Sequence, residues 1–195
     1  MMTDFILGAT AAIIAYKLYL YPGASPAISI WSTAFVLISL SALLGGIYHG
    51  ARHIAGERFN RYTWKAVLYA LAGASFLFLC AASFTVPVAT VKIALIIFAA
   101  IKLLISIGAI YSSDRFRMVM YDYLISMVIT AVLYSLFMPP HATLWFATGM
   151  IMSLIASAIQ LRKIAPKRYL DHNDIYHLLQ ALALIMMYKG IIAAL

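Results

Sequence analysis

Apolar residues run through this chain in long stretches, interrupted at intervals by short clusters of prolines, glycines and charges. A helix needs about 20 apolar residues to cross the hydrocarbon core of a bilayer. On that measure the pattern predicts seven helices, over about 4–21, 28–51, 63–83, 88–111, 118–137, 142–161 and 174–194. The breaks have the chemistry of turns: Tyr21-Pro22-Gly23-Ala24-Ser25-Pro26 and Met138-Pro139-Pro140-His141 are poor helix continuations. Pro87 falls where the fourth helix opens, the position at which a missing N–H costs least. The first segment has no basic leader and carries Asp4, so it reads as a retained helix rather than a cleaved signal. The expected fold is all-α: a polytopic membrane protein forming one seven-transmembrane helix bundle over residues 1–195.

Composition agrees with that pattern. The chain is 65% hydrophobic and 10% charged, whereas soluble domains carry about 25% charged residues. A net charge of +8 would suit nucleic acid only on a water-soluble face, and the pattern leaves no room for one. Instead, ten of the fourteen basic residues fall in alternate loops: Arg52, Arg58, Arg61 and Lys65; Arg115 and Arg117; Arg162, Lys163, Lys167 and Arg168. Basic loops face the cytoplasm and its anionic lipid headgroups. The N-terminus is therefore expected to be cytoplasmic and the C-terminus outside, in a bacterial inner membrane. Lys17, Lys92, Lys102 and Lys189 are scattered, and most are expected to snorkel toward an interface. Trp31, Trp64 and Trp145 fall near helix ends, where an aromatic belt belongs. Cys80 is alone in an apolar run, so no internal disulfide is possible.

Threading the chain through a bilayer gathers most of its histidines on one side. His49 and His53 close helix 2; four residues apart, they project from one helical face and suit two ligands of one metal. His172 and His177 open helix 7 between Asp171 and Asp174. Five residues turn a helix through about 140° beyond a full circle. The helix 7 pair can thus face one site only if His172 lies in a non-helical lead-in, for which Asp171, Asn173 and Asp174 are suitable N-caps. The predicted centre is zinc held by His49, His177 and either His53 or His172. A b-type haem held by one histidine from each helix is the alternative cofactor.

Asp122 places a carboxylate in an apolar and aromatic helix, where it needs a partner. Arg115 or Arg117 is the ordinary candidate; the functional candidates for Asp122, and for Asp174, are orienting a ligating imidazole or relaying protons. His141 reads as a solvated loop residue, and Lys189, close to the outer interface, as a snorkelling lysine rather than a Schiff base.

Tyr48-His49 on the second helix and Tyr176-His177-Leu178-Leu179 on the seventh, in a seven-span chain, resemble the superfamily of alkaline ceramidases and progestin/adipoQ receptors, which includes bacterial haemolysin-III-like proteins. The resemblance implies a zinc ion bound near one membrane face and water attack on a lipid amide. Gly45 stands where that superfamily has a serine, and Asn173 where its first helix 7 histidine belongs. Arg61 and Tyr62 occupy the region of its helix 3 aspartate, with Ser41 or Asp122 as candidate replacements for the lost polar groups. The expected function is an integral-membrane zinc-dependent hydrolase of a lipid amide or ester, with membrane lipids as its partners. A non-catalytic receptor or accessory subunit, with a structural polar cluster, is the competing expectation.

Overall fold

The computed structural model describes residues 2–23, 25–165 and 171–195. Seven helices follow in order: α1 (Met2–Tyr19), α2 (Pro26–Ala51), α3 (Glu57–Ser83), α4 (Ala89–Ser112), α5 (Phe116–Phe137), α6 (Pro140–Arg162) and α7 (His172–Ala193). There is no strand among the described residues. Six of the helices, α2 to α7, are long and apolar enough to cross a membrane, which is the architecture of a multi-pass membrane protein. The remaining one, α1, carries Asp4 in its first turn and Lys17 in its last.

Capping chemistry sets several of the helix ends. Ser25 caps α2, accepting from the backbone N–H of Ile28, with Pro26 in the first turn. Asp171 caps α7 by accepting from the N–H of Asp174 at 2.8 Å. Burial pulls the Asp171 carboxyl upward, but hydrogen bonds from the Asp174 and Asn173 backbone outweigh it and hold the group below its ordinary range. Lys163 ends α6 in the left-handed region at φ 52°. The expected starts and stops hold except at α3, which begins at Glu57 rather than near residue 63. Apolar counting marks only the hydrocarbon crossing, whereas backbone hydrogen bonding carries the helix onward through a polar first turn and a half. Lys167 and Arg168 of the expected basic cluster lie outside the described residues.

Six helices close into a ring in the order α1, α2, α3, α5, α6, α7, while α4 packs outside it against α3 and α5 alone. Glycines bring the ring's helices close together. A Cβ on Gly46 would stand 3.0 Å from Phe5 Cζ and 3.2 Å from Asp4 Cβ, so α1 lies tight on the last turns of α2.

Two expectations from the sequence are corrected by the packing. Trp31 is not a belt residue: it is buried at 3% exposure, its ring 5.0 Å from Phe78 and 6.0 Å from Phe146. Its position near a helix end is outweighed by its helical phase, because residues 31, 35 and 38 recur on the face of α2 that meets α3 and α6. Lys102 does not snorkel; it turns inward to Asp122. Lys189 does lie at the far end of the bundle, over the Trp145 ring at 4.4 Å.

Candidate functional site

At the end of the ring where α1, α3, α5 and α7 begin and α2 and α6 finish, the helices surround a cavity of about 240 Å³. Its deeper wall is apolar, with Leu7, Ile38 and Leu184, and its mouth is aromatic, with Trp64, Phe116 and Tyr176. Trp64 is fixed there by an indole N–H donated to the Asp114 carbonyl at 3.0 Å.

The polar residues of the cavity meet at Asp4. This carboxylate is 1% exposed, and it reaches the cavity because a Cβ on Gly45 would already stand 3.4 Å from its Oδ1. His49 follows Gly45 by one helical turn and therefore shares its face; its Nε2 lies 4.0 Å from Asp4 Oδ1. From α7, His177 brings its own Nε2 to 3.5 Å of the same oxygen. On its other edge, His177 Nδ1 lies 3.4 Å from Thr3 Oγ1 and 3.5 Å from Asn173 Nδ2. The Thr3 hydroxyl donates to Asp174 Oδ1 at 2.7 Å, and the Asn173 amide oxygen accepts from Gln160 Nε2 at 3.2 Å. Ser41 lines the cavity but donates to the Val67 carbonyl.

Of the residues expected to form a site, His49 and His177 therefore share one cavity. His53 does not line it: it sits in the exposed turn after α2, where its Nε2 accepts from Arg52 Nε at 3.1 Å. His172 does not line it either, because the non-helical lead-in it needed is absent; Asp171 is the cap and His172 is the first helical residue. Asp174 stands one residue behind the imidazole, linked to it through Thr3. Asp122 is elsewhere, and its partner is not Arg115 or Arg117 but Lys102 of α4, at 2.5 Å. His141 lies at the opposite end, its Nε2 3.1 Å from the Ala193 carbonyl. Sequence reasoning missed Asp4 and Thr3 as site residues. The available signal was an acid inside an apolar helix, a costly placement that marks functional candidates by default.

Two imidazole nitrogens and one carboxylate oxygen are the donor types of a zinc site. Ligand atoms about 2.0–2.2 Å from a tetrahedral ion stand roughly 3.4 Å apart. The His177–Asp4 separation meets that spacing, and the His49–Asp4 separation of 4.0 Å exceeds it. As placed, no group of three or more His, Cys, Asp or Glu side chains among the described residues holds a metal-binding arrangement. The donor types are those of zinc, then, while the His49–Asp4 separation stands about 0.6 Å beyond the ligand spacing. A haem fits less well, because a carboxylate oxygen lies within 4.0 Å of both nitrogens that would have to ligate its iron.

Residues 1–195 match the family described as "Family of unknown function (DUF6962)". No curated protein and no solved structure matches the chain.

Proposed function

The chain belongs to this family of unknown function over its whole length, and from that premise we propose that it is an integral-membrane hydrolase of a lipid amide or ester, working at Asp4, His49 and His177. The observation that carries this reading is the convergence of both imidazoles on one buried carboxylate oxygen, at 3.5 and 4.0 Å, at the polar end of an otherwise apolar cavity. A volume of about 240 Å³ takes a headgroup and its linkage, while drug-sized ligands fill about 300–1,000 Å³. Long acyl chains of the substrate therefore lie outside the cavity. His49, His177 and Asp4 would hold zinc, which when bound supplies carbonyl polarisation and water activation. Asp4 supplies the carboxylate oxygen that both rings approach, and the surrounding apolar wall excludes bulk water and strengthens each electrostatic contact.

In this reading α1 is the seventh span. Its 18 residues rise about 27 Å, close to the hydrocarbon thickness, and it completes the ring between α2 and α7. The cavity end, flanked by Arg52, Arg61, Arg115, Arg117 and Arg162, faces the cytoplasm. That puts the N-terminus inside and the C-terminus outside.

The test is turnover in lipid nanodiscs, with fluorescent long-chain amides and esters offered to zinc-supplied protein. Free fatty acid is expected from one class, with release falling about 10²-fold or more in His49→Ala and His177→Ala. No release from any substrate would overturn the reading. The 4.0 Å reach of His49 favours, as the second reading, a receptor or accessory subunit that binds an amphiphile without cleaving it. It predicts saturable binding, with the histidine variants altering stability alone.

A further inference from the structure

The hydroxyl of Thr3 has one hydrogen, and at 2.7 Å from Asp174 Oδ1 that hydrogen is committed to the carboxylate. Toward His177 Nδ1, 3.4 Å away, Thr3 therefore presents only lone pairs. A hydrogen bond across that gap exists only if Nδ1 carries the ring proton. The second neighbour of Nδ1 does not oppose this. Asn173 offers either edge of its amide, since rotating it by 180° exchanges its oxygen and nitrogen, and its Gln160 partner can turn with it. Thr3 cannot make that exchange while Asp174 holds its hydrogen.

From this geometry we infer that Asp174 and Thr3 form a positioning relay that holds His177 as the Nδ1–H tautomer, leaving the Nε2 lone pair directed into the cavity as the atom that meets a proton, a metal ion or substrate. The relay joins the two ends of the chain, α1 supplying the hydroxyl and α7 both the carboxylate and the ring. Thr3 and His177 are each 8% exposed and Asp174 is half-buried, so water competes poorly at the Thr3–His177 contact. Asp4 Oδ1, 3.5 Å from Nε2, competes for the same ring proton, so the relay holds the proton at Nδ1 against that pull, and an electrophile between Nε2 and Asp4 strengthens the arrangement. Carboxylate-oriented imidazoles are the usual way of presenting such a nitrogen; here a threonine is interposed.

The inference rests on the cavity being the working site, and its test leaves hydrolysis aside. Full-length protein labelled with ¹⁵N-histidine is reconstituted in nanodiscs, stripped of metals by chelation so that no ion fixes the tautomer, and its His177 resonances are assigned with His177→Gln. The wild type is expected to show Nδ1 protonated and Nε2 bare. In Thr3→Val the pattern should reverse, and in Thr3→Ser it should be retained. Asp174→Ala frees the Thr3 hydrogen to point at Nδ1, and should reverse the pattern without touching the hydroxyl, which covers the case in which Thr3→Val does not fold. Nε2–H in the wild type, or no change in either Thr3→Val or Asp174→Ala, overturns the relay. A relay confirmed by resonance in a protein that hydrolyses nothing removes the proposed function alone; turnover with the wrong tautomer removes the relay alone.

Discussion

Lys102→Met is expected to lower the stability of the folded bundle by about 3–5 kcal/mol, the cost of leaving one partner of a buried ion pair uncompensated. Lys102 lies midway along α4, and its ammonium meets Asp122 Oδ1 at 2.5 Å, the Asp122 carbonyl at 2.9 Å and Ser126 Oγ at 3.0 Å. These three acceptors use all three of its N–H donors. Ser126 in turn shares a hydrogen bond with Ser75 of α3 at 2.9 Å, so one network ties α3, α4 and α5. The tie matters because α4 touches only two neighbours and turns residues such as Leu104 and Ile105 outward. Asp122→Leu should cost a similar amount by stranding the ammonium. The double variant Lys102→Met/Asp122→Leu should recover most of the loss, since a buried pair replaced by apolar groups is close to neutral. Denaturant titration of the reconstituted protein measures all three. A single-variant loss under about 1 kcal/mol, the level of an exposed pair, would mean that α4 is held by packing alone.

Gly149→Ala carries the second large effect, expected at about 1–3 kcal/mol. A Cβ at this position of α6 would stand 2.6 Å from the Ala183 carbonyl oxygen and 2.9 Å from the Met187 backbone nitrogen of α7. Gly190 answers from α7, where a Cβ would meet the Phe146 nitrogen at 2.8 Å and the Ala142 oxygen at 2.9 Å. Backbone atoms cannot rotate away, so relief requires separating two helices that pack along their whole length, one of which carries His177. Two glycines provide the contrast. At Gly73 the obstacle is the end of the Leu37 side chain, which can yield, and at Gly108 a Cβ meets nothing within 4 Å. Gly108→Ala should be neutral, or stabilising by as much as about 1 kcal/mol through helix propensity. Equal stability of Gly149→Ala and Gly108→Ala in the same titration would contradict the close α6–α7 approach.

The helices were legible because hydrophobic burial in a bilayer is written into consecutive residues, and turn chemistry marks the gaps. Contacts between helices are written far less plainly. His49 and His177 could be picked out because each stands at a helix end on the same side. Asp4 was visible as an acid in an apolar helix, but its neighbours are set by how α1 lies on Gly45 and Gly46, which no count along the chain reveals. The partner of Asp122 is twenty residues away on a helix that looks uniformly lipid-facing, while Arg115 and Arg117 are near in sequence but lie outside the pair. For His172, a start of α7 at residue 172 rather than 174 placed it inside the helix and out of the lead-in it needed. Trp31 shows the same limit: distance from a helix end is visible in the sequence, but the face a residue occupies in the bundle is a property of the neighbours.

The claim that organises all of this is that Asp4, His49 and His177 form one working centre. Elemental analysis of protein purified without chelator addresses it most directly. The account predicts about one zinc per chain in the wild type, reduced about tenfold or more in both Asp4→Asn and His177→Ala. Wild-type protein free of zinc, or zinc retained equally in all three, contradicts it.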